Sequence, residues 1–137
     1  MKGSCACGQI QYELSDKFLI ANHCHCSTCR KVHGAAFGTF GHAKAEAFRW
    51  VQGEALVTGY RSSAGNVRNF CRVCGSNMPS VFLNMNYVQI PLATLDDDPK
   101  TQPVAHLYVR SKVPWFDIAD RLPQYLEIVD LRELVQQ

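Results

Sequence analysis

The amino-acid sequence predicts a mainly β fold with short helical additions, and three observations carry that expectation. Apolar and polar residues alternate in short segments, β-branched and aromatic residues concentrate in those segments, and Gly, Pro, Asn and Asp separate them. The first segment is GQIQYEL, where Ile10, Tyr12 and Leu14 alternate with Gln9, Gln11 and Glu13, the period of a strand with one buried face. AFRWVQG and ALVTGYRS follow as two strands parted by Gly53, and NVRNFC leads another into the last pair of cysteines. SVFLNM, YVQIPLATL and AHLYVRS complete the set. Pro91 points to an edge position or a bulge, because proline has no N–H to give to a ladder. Two segments depart from the pattern. Ser27 is placed to cap a helical turn through TCRKVHG that ends at Gly34. LEIVDLRELVQQ spaces Ile128, Leu131, Leu134 and Val135 as a terminal helix whose apolar stripe is read as packing. Between them, SKVPWFDIADRLPQY is expected to lie over the sheet as an irregular segment.

A chain of 137 residues with 47% hydrophobic content is long enough to bury a core without crosslinks, and neither repeats nor linkers divide it, so one domain over residues 1–137 is expected. MKGSCACGQI has no apolar stretch of the export type, and no apolar run is long enough to cross a bilayer. A cytoplasmic protein with reduced thiols and no membrane partner is expected. The formal charge is +2 and the basic residues form no block, which argues against a nucleic-acid surface. Nothing in the composition signals an oligomeric state.

The seven cysteines fall into three clusters: Cys5 and Cys7; Cys24, Cys26 and Cys29; and Cys71 and Cys74. An odd count argues against a disulfide framework, and clustering argues against scattered core packing, so metal ligation is predicted. In extended chain, residues two apart point the same way, so CAC presents two sulfurs on one side. A CxxC instead wraps the backbone round an ion, and a glycine after the second cysteine gives the turn its freedom; Gly8 and Gly75 stand at those positions. Cys5, Cys7, Cys71 and Cys74 are expected to close a structural zinc site. Cys24, Cys26 and Cys29 then form a three-ligand site, and an unfilled fourth position is what catalytic zinc keeps. That position is either open or closed by His23, His25 or His33; His25 lies between two ligands and should point away, whereas His33 can reach back across a helical turn. Two zinc ions on seven thiolates would bring the formal charge from +2 to −1. Redox sensing by the trio is a further reading, and would require an exposed, metal-free thiolate of low pKa.

GSCACGQIQYEL, HCHCSTCRKVHGAAFGTF, FCRVCGSNMPS and SKVPWFDIADRLPQY together resemble, in order and spacing from Gly3 to about Tyr125, the glutathione-dependent formaldehyde-activating enzyme family. The resemblance implies a zinc-containing β-tent fold, a structural zinc on Cys5, Cys7, Cys71 and Cys74, and a second, labile, catalytic zinc on Cys24, Cys26 and Cys29. It implies a carbon–sulfur lyase that joins a small-molecule thiol such as glutathione to a small aldehyde such as formaldehyde. Where family members often carry a proline after Cys-Gly-Thr, this chain has Ser76, Asn77 and Met78 before Pro79. Arg30 and Lys31, directly after the trio, are candidates to bind the carboxylates of a glutathione-like substrate, with Arg68 a further candidate. His33 and His42 are candidate proton carriers. The alternative is a non-catalytic, zinc-scaffolded binding module or chaperone-like protein, since the same fold serves an exchange-factor chaperone of Rab GTPases.

Overall fold

The computed structural model describes residues 1–130 and Leu134, and within them the chain is mainly β. The strands in chain order are β1 (Lys2–Ser4), β2 (Gln11–Leu14), β3 (Ile20–Cys24), β4 (Gly38–Lys44), β5 (Phe48–Gln52), β6 (Val57–Ser63), β7 (Asn66–Cys71), β8 (Asn77–Met78), β9 (Ser80–Phe82), β10 (Tyr87–Pro91) and β11 (His106–Leu107), with one helix, α1 (Ser27–His33), between β3 and β4. They form three sheets, β1-β2-β5, β11-β3-β4-β10-β9 and β6-β7-β8.

The five-stranded sheet organises the rest because its two faces differ in chemistry. On one face Ala43, Val88 and Ile90 pack against Tyr12, Leu14 and Phe18, so the sheet carrying β2 closes the main apolar core. The register places the opposite face with equal definition: Cys24 lies across from Gly38, Asn22 from Phe40, and His42 from both Ile20 and Gln89. Residues two apart share a face, so Asn22, Cys24, Phe40, His42, Tyr87 and Gln89 all point away from the core. Strand β7 passes over this second face.

The expected alternation in GQIQYEL holds, with Ile10, Tyr12 and Leu14 all at or below 1% exposure. Gly53 parts β5 from β6 in a left-handed conformation, as its position between two strand patterns suggested. Pro91 is not on an edge strand: β10 lies between β4 and β9. It is tolerated because β9 pairs only with Tyr87 to Gln89, so Pro91 lies past the end of that ladder. The helix is capped by Cys26 rather than Ser27, the Cys26 Sγ accepting from the Cys29 N–H at 3.3 Å, and it ends at Gly34 in a left-handed turn. A sulfur that must face its cluster thus does a hydroxyl's capping work. Of the terminal-helix residues, Ile128 is exposed and non-helical, Leu134 is buried against Ile20, Ala105 and Leu107, and Leu131 and Val135 lie outside the described residues.

Ile90 is fully buried between the two sheets. Ile90→Ala is expected to cost about 2–5 kcal/mol in chemical denaturation, and Leu83→Ala, at a position 79% exposed, less than about 0.5 kcal/mol.

Candidate metal centres

The two outer cysteine pairs meet although they lie at opposite ends of the first half of the chain. The Sγ atoms of Cys5, Cys7, Cys71 and Cys74 all lie within 4.8 Å of one another, with Cys5 to Cys7 at 3.4 Å and Cys7 to Cys71 at 4.0 Å. Four sulfurs at tetrahedral angles on bonds of about 2.3 Å would be about 3.8 Å apart, so the donor set fits zinc. Each pair sits on a backbone turn. The Gly8 N–H donates to the Cys5 carbonyl at 2.9 Å and the Gly75 N–H to the Cys71 carbonyl at 2.8 Å, with both glycines at positive φ (74° and 76°). Ser76 joins the two turns: its Oγ accepts from the Ala6 N–H at 2.9 Å and lies 3.3 Å from the Cys74 Sγ. Its hydroxyl and N–H hold the Cys74 thiol down to about 5. Cys5 and Cys71 are buried with Ile10 and Met78 as a small core of their own.

Cys24, Cys26 and Cys29 form the second cluster, again with all sulfurs within 4.8 Å. Cys24 ends β3, Cys26 caps α1, and Cys29 lies one turn into that helix on its buried side. Hydrogen bonds with the Cys24 and Cys29 thiols hold Cys26 down to about 2, and the bonds of Cys24 with Cys26 and Cys29 push Cys24 far up. Cys29 is raised to about 11: its bond with Cys24 lowers it, but Cys26 and burial raise it by more. Negative charge is therefore concentrated on the half-exposed sulfur. Among the described residues no histidine or carboxylate joins this cluster as a fourth donor. His33 instead lays its ring edge-on against Phe40, with centroids 5.1 Å apart.

His25 does point away, and into a chain of rings. Its Nε2 lies 2.8 Å from His106 Nδ1, and His106 Nε2 lies 3.0 Å from the Asp120 carboxylate. The carboxylate can only accept, so His106 donates from Nε2, and a neutral His106 ring accepts the His25 Nε2–H at Nδ1. The His25 N–H also donates to the Leu107 carbonyl at 2.9 Å. The segment between Cys24 and Cys26 is thereby fastened by backbone and side chain to β11. Burial lowers His23, His25 and His42 to about 4, so all three are neutral at pH 7.

A cleft of about 340 Å³ opens beside the trio, bounded by the outer face of the five-stranded sheet, by Ser63 at the end of β6 and by Asn66 and Arg68 on β7. Tyr108 lines it with a left-handed backbone (φ 58°) and packs on the cluster of Cys24, Cys29 and Phe40. Strain of this kind in a non-glycine residue gathers at functional sites. Arg30 and Lys31 do not line this cleft: the Arg30 Nε donates to the His25 carbonyl at 3.1 Å, and Lys31 is exposed. Arg68 does line it, and its charge lowers both Cys26 and Cys29.

The family model described as glutathione-dependent formaldehyde-activating enzyme matches residues 1–111, which include all seven cysteines. The chain belongs to that family. A crystal structure of a Rhodobacter sphaeroides protein is similar to it, 28% identical with a TM-score of 0.59 over 73% of this chain and 93% of that one. No curated protein matches. In this family member His106 falls inside the matched range and Asp120 beyond it, so the ring chain is completed by the segment that follows. No local signal marks His106 or Asp120, because partners 81 and 14 residues apart share no local pattern. No helix among the described residues is long and apolar enough to cross a membrane.

Groups that orient a ligand-bearing loop typically change metal affinity by about 10–100-fold when removed. Asp120→Asn, at a position 47% exposed, is expected to leave the fold intact and to weaken zinc retention by the trio by about tenfold, measured by competition with a chromophoric chelator.

Proposed function

We propose that the protein joins a thiol such as glutathione to a small aldehyde such as formaldehyde, as a cytoplasmic carbon–sulfur lyase of the S-(hydroxymethyl)glutathione synthase type. The observation that carries this reading is the contrast between the two clusters in a member of this family. Four sulfurs close one site, whereas three sulfurs border a cleft in the other. Cys5, Cys7, Cys71 and Cys74 would hold a structural zinc, and Cys24, Cys26 and Cys29 a catalytic one. Zinc at the trio would supply the charge that turns an incoming thiol into a thiolate.

The reaction is an addition. A sulfur–carbon bond forms at the aldehyde carbon, the carbonyl π pair moves to oxygen, and the proton released by the thiol ends on that oxygen, with no oxidant or reductant. The protein's own part is to bring the two reactants together and to stabilise the developing alkoxide. Phe40, Leu107 and Tyr108 border the trio with largely apolar surface, which strengthens electrostatic contacts there. We assign the donor to Tyr108. Its side chain packs on the sulfur cluster and lines the cleft, and burial pushes its phenol up, so it keeps its proton at neutral pH.

Tyr108→Phe is expected to lower kcat by about tenfold to a thousandfold while leaving thiol binding and zinc content unchanged, the pattern for a donor used only in the transition state. The two clusters are separated by serine replacement. Cys26→Ser is expected to abolish thiol-dependent aldehyde consumption, followed by NMR of the formaldehyde adduct, with a native circular dichroism spectrum and one zinc retained. Cys71→Ser, at a fully buried position, is expected to lose folded structure. Turnover by Cys26→Ser equal to that of the unaltered protein would contradict the proposal.

A further inference from the structure

The outer face of the five-stranded sheet carries polar groups that the fold does not use. Asn22 and His42 are buried at 2% and 7% exposure, and the His42 Nε2–H donates to the Asn22 Oδ1 at 2.9 Å. That bond leaves His42 Nδ1 with a lone pair, and this atom is buried with no partner. Across the cleft, Asn66 Oδ1 is a second buried acceptor with no partner. Both residues line the cleft beside the trio. Unpaired buried polar atoms are few in native interiors and call for an explanation, and two facing one cleft call for a shared one.

Arg68 supplies the complementary element. It lies two residues after Asn66 on β7 and so projects to the same face, and it is the one cationic side chain among the described residues lining the cleft. Its contacts are long and neutral: Nε donates to Ser62 Oγ at 3.3 Å and Nη1 to Gln89 Oε1 at 3.5 Å. No carboxylate pairs with it among the described residues. A half-buried guanidinium without an anion is poised to receive one, in the two-pronged geometry that suits a carboxylate. Cys26 and Cys29 line the same cleft as Arg68, so one small ligand can span both. A cleft of about 340 Å³ is of the size that holds a small molecule.

Resting on the thiol-adding reading above, we propose that Arg68, His42 and Asn66 form the specificity site for the thiol. Arg68 binds a carboxylate, and the His42 Nδ1 and Asn66 Oδ1 acceptors take N–H groups, so the cleft selects a thiol borne on an amino-acid or peptide body over a neutral one. The carboxylate contact is thereby assigned to Arg68, the further candidate of the sequence, and not to Arg30 and Lys31, which do not line the cleft.

The test separates recognition from reaction. S-methylglutathione has the carboxylates and N–H groups but no reactive thiol, and its binding is measured calorimetrically to zinc-loaded protein. Arg68→Met is expected to weaken that binding at least about tenfold and Arg68→Lys to restore part of it. In turnover, the ratio of kcat/KM for glutathione to that for 2-mercaptoethanol is expected to fall at least about tenfold in Arg68→Met. Binding of S-methylglutathione that is absent in the unaltered protein, or equal in a folded Arg68→Met, overturns the inference; so does an equal loss for both thiols. Arg68-dependent binding with no turnover of any thiol would instead overturn the proposed reaction and leave the recognition site standing.

Discussion

Sulfurs brought together from segments 64 residues apart in sequence are the constraint on which the remaining structure depends. The turn that carries Cys5 and Cys7 leads into β2, and the turn that carries Cys71 and Cys74 follows β7, so holding the four sulfurs together ties the first sheet to the third. Cys5, Cys71, Ile10 and Met78 are as well buried as any aliphatic core residue. An ion among them would act as a crosslink whose free energy is part of the free energy of folding. Strand β7 ends at Cys71 and carries Arg68 and Asn66 on the face that looks toward the trio. The first cluster therefore sets the position of one wall of the second cluster's cleft, although the two share no residue.

The five-stranded sheet separates two kinds of stabilisation. Its inner face is ordinary apolar packing, and its outer face carries Asn22, His42, Tyr87 and Gln89, whose burial costs free energy wherever a hydrogen bond goes unmade. Such an arrangement is hard to account for by stability alone, since apolar residues at those positions would pack at less cost. The trio sits at the end of β3, where the sheet hands over to α1, and the rings of His25 and His106 fasten that corner from behind. The trio's sulfurs are thus held on elements that are themselves braced on two sides, an arrangement that would suit the proposed catalytic role.

Much of this was legible in the chain, and the failures share one cause. β2, β5, β6, β7 and β10 each have alternation or a β-branched run, and the cysteine spacings with Gly8 and Gly75 anticipated both clusters. β3 and β4, which form the centre of the main sheet, gave no such signal. IANHC and GTFGHAK are buried on both faces, and one of those faces meets a polar cleft, so His and Asn stand where a strand pattern leads one to expect Val or Ile. The strands hardest to read were therefore those that build the candidate site. Helix capping by Cys26 instead of Ser27 has a similar origin, because the demands of the sulfur cluster override a local preference. The ring chain through His106 to Asp120 and the acceptors opposite Arg68 depend on contacts between distant segments, which no local pattern encodes.

In the proposed arrangement four sulfurs saturate one zinc ion and three leave the other unsaturated. X-ray absorption at the zinc edge, with metal quantified in the same freshly purified sample, distinguishes the two. Two zinc ions per chain and an average shell of between three and four sulfurs are expected, with lighter donors making up the remainder; Cys26→Ser should shift that average to four sulfurs on a single ion. One zinc per chain in the unaltered protein, two ions each surrounded by four sulfurs, or sulfur–sulfur bonds in place of metal would contradict that arrangement.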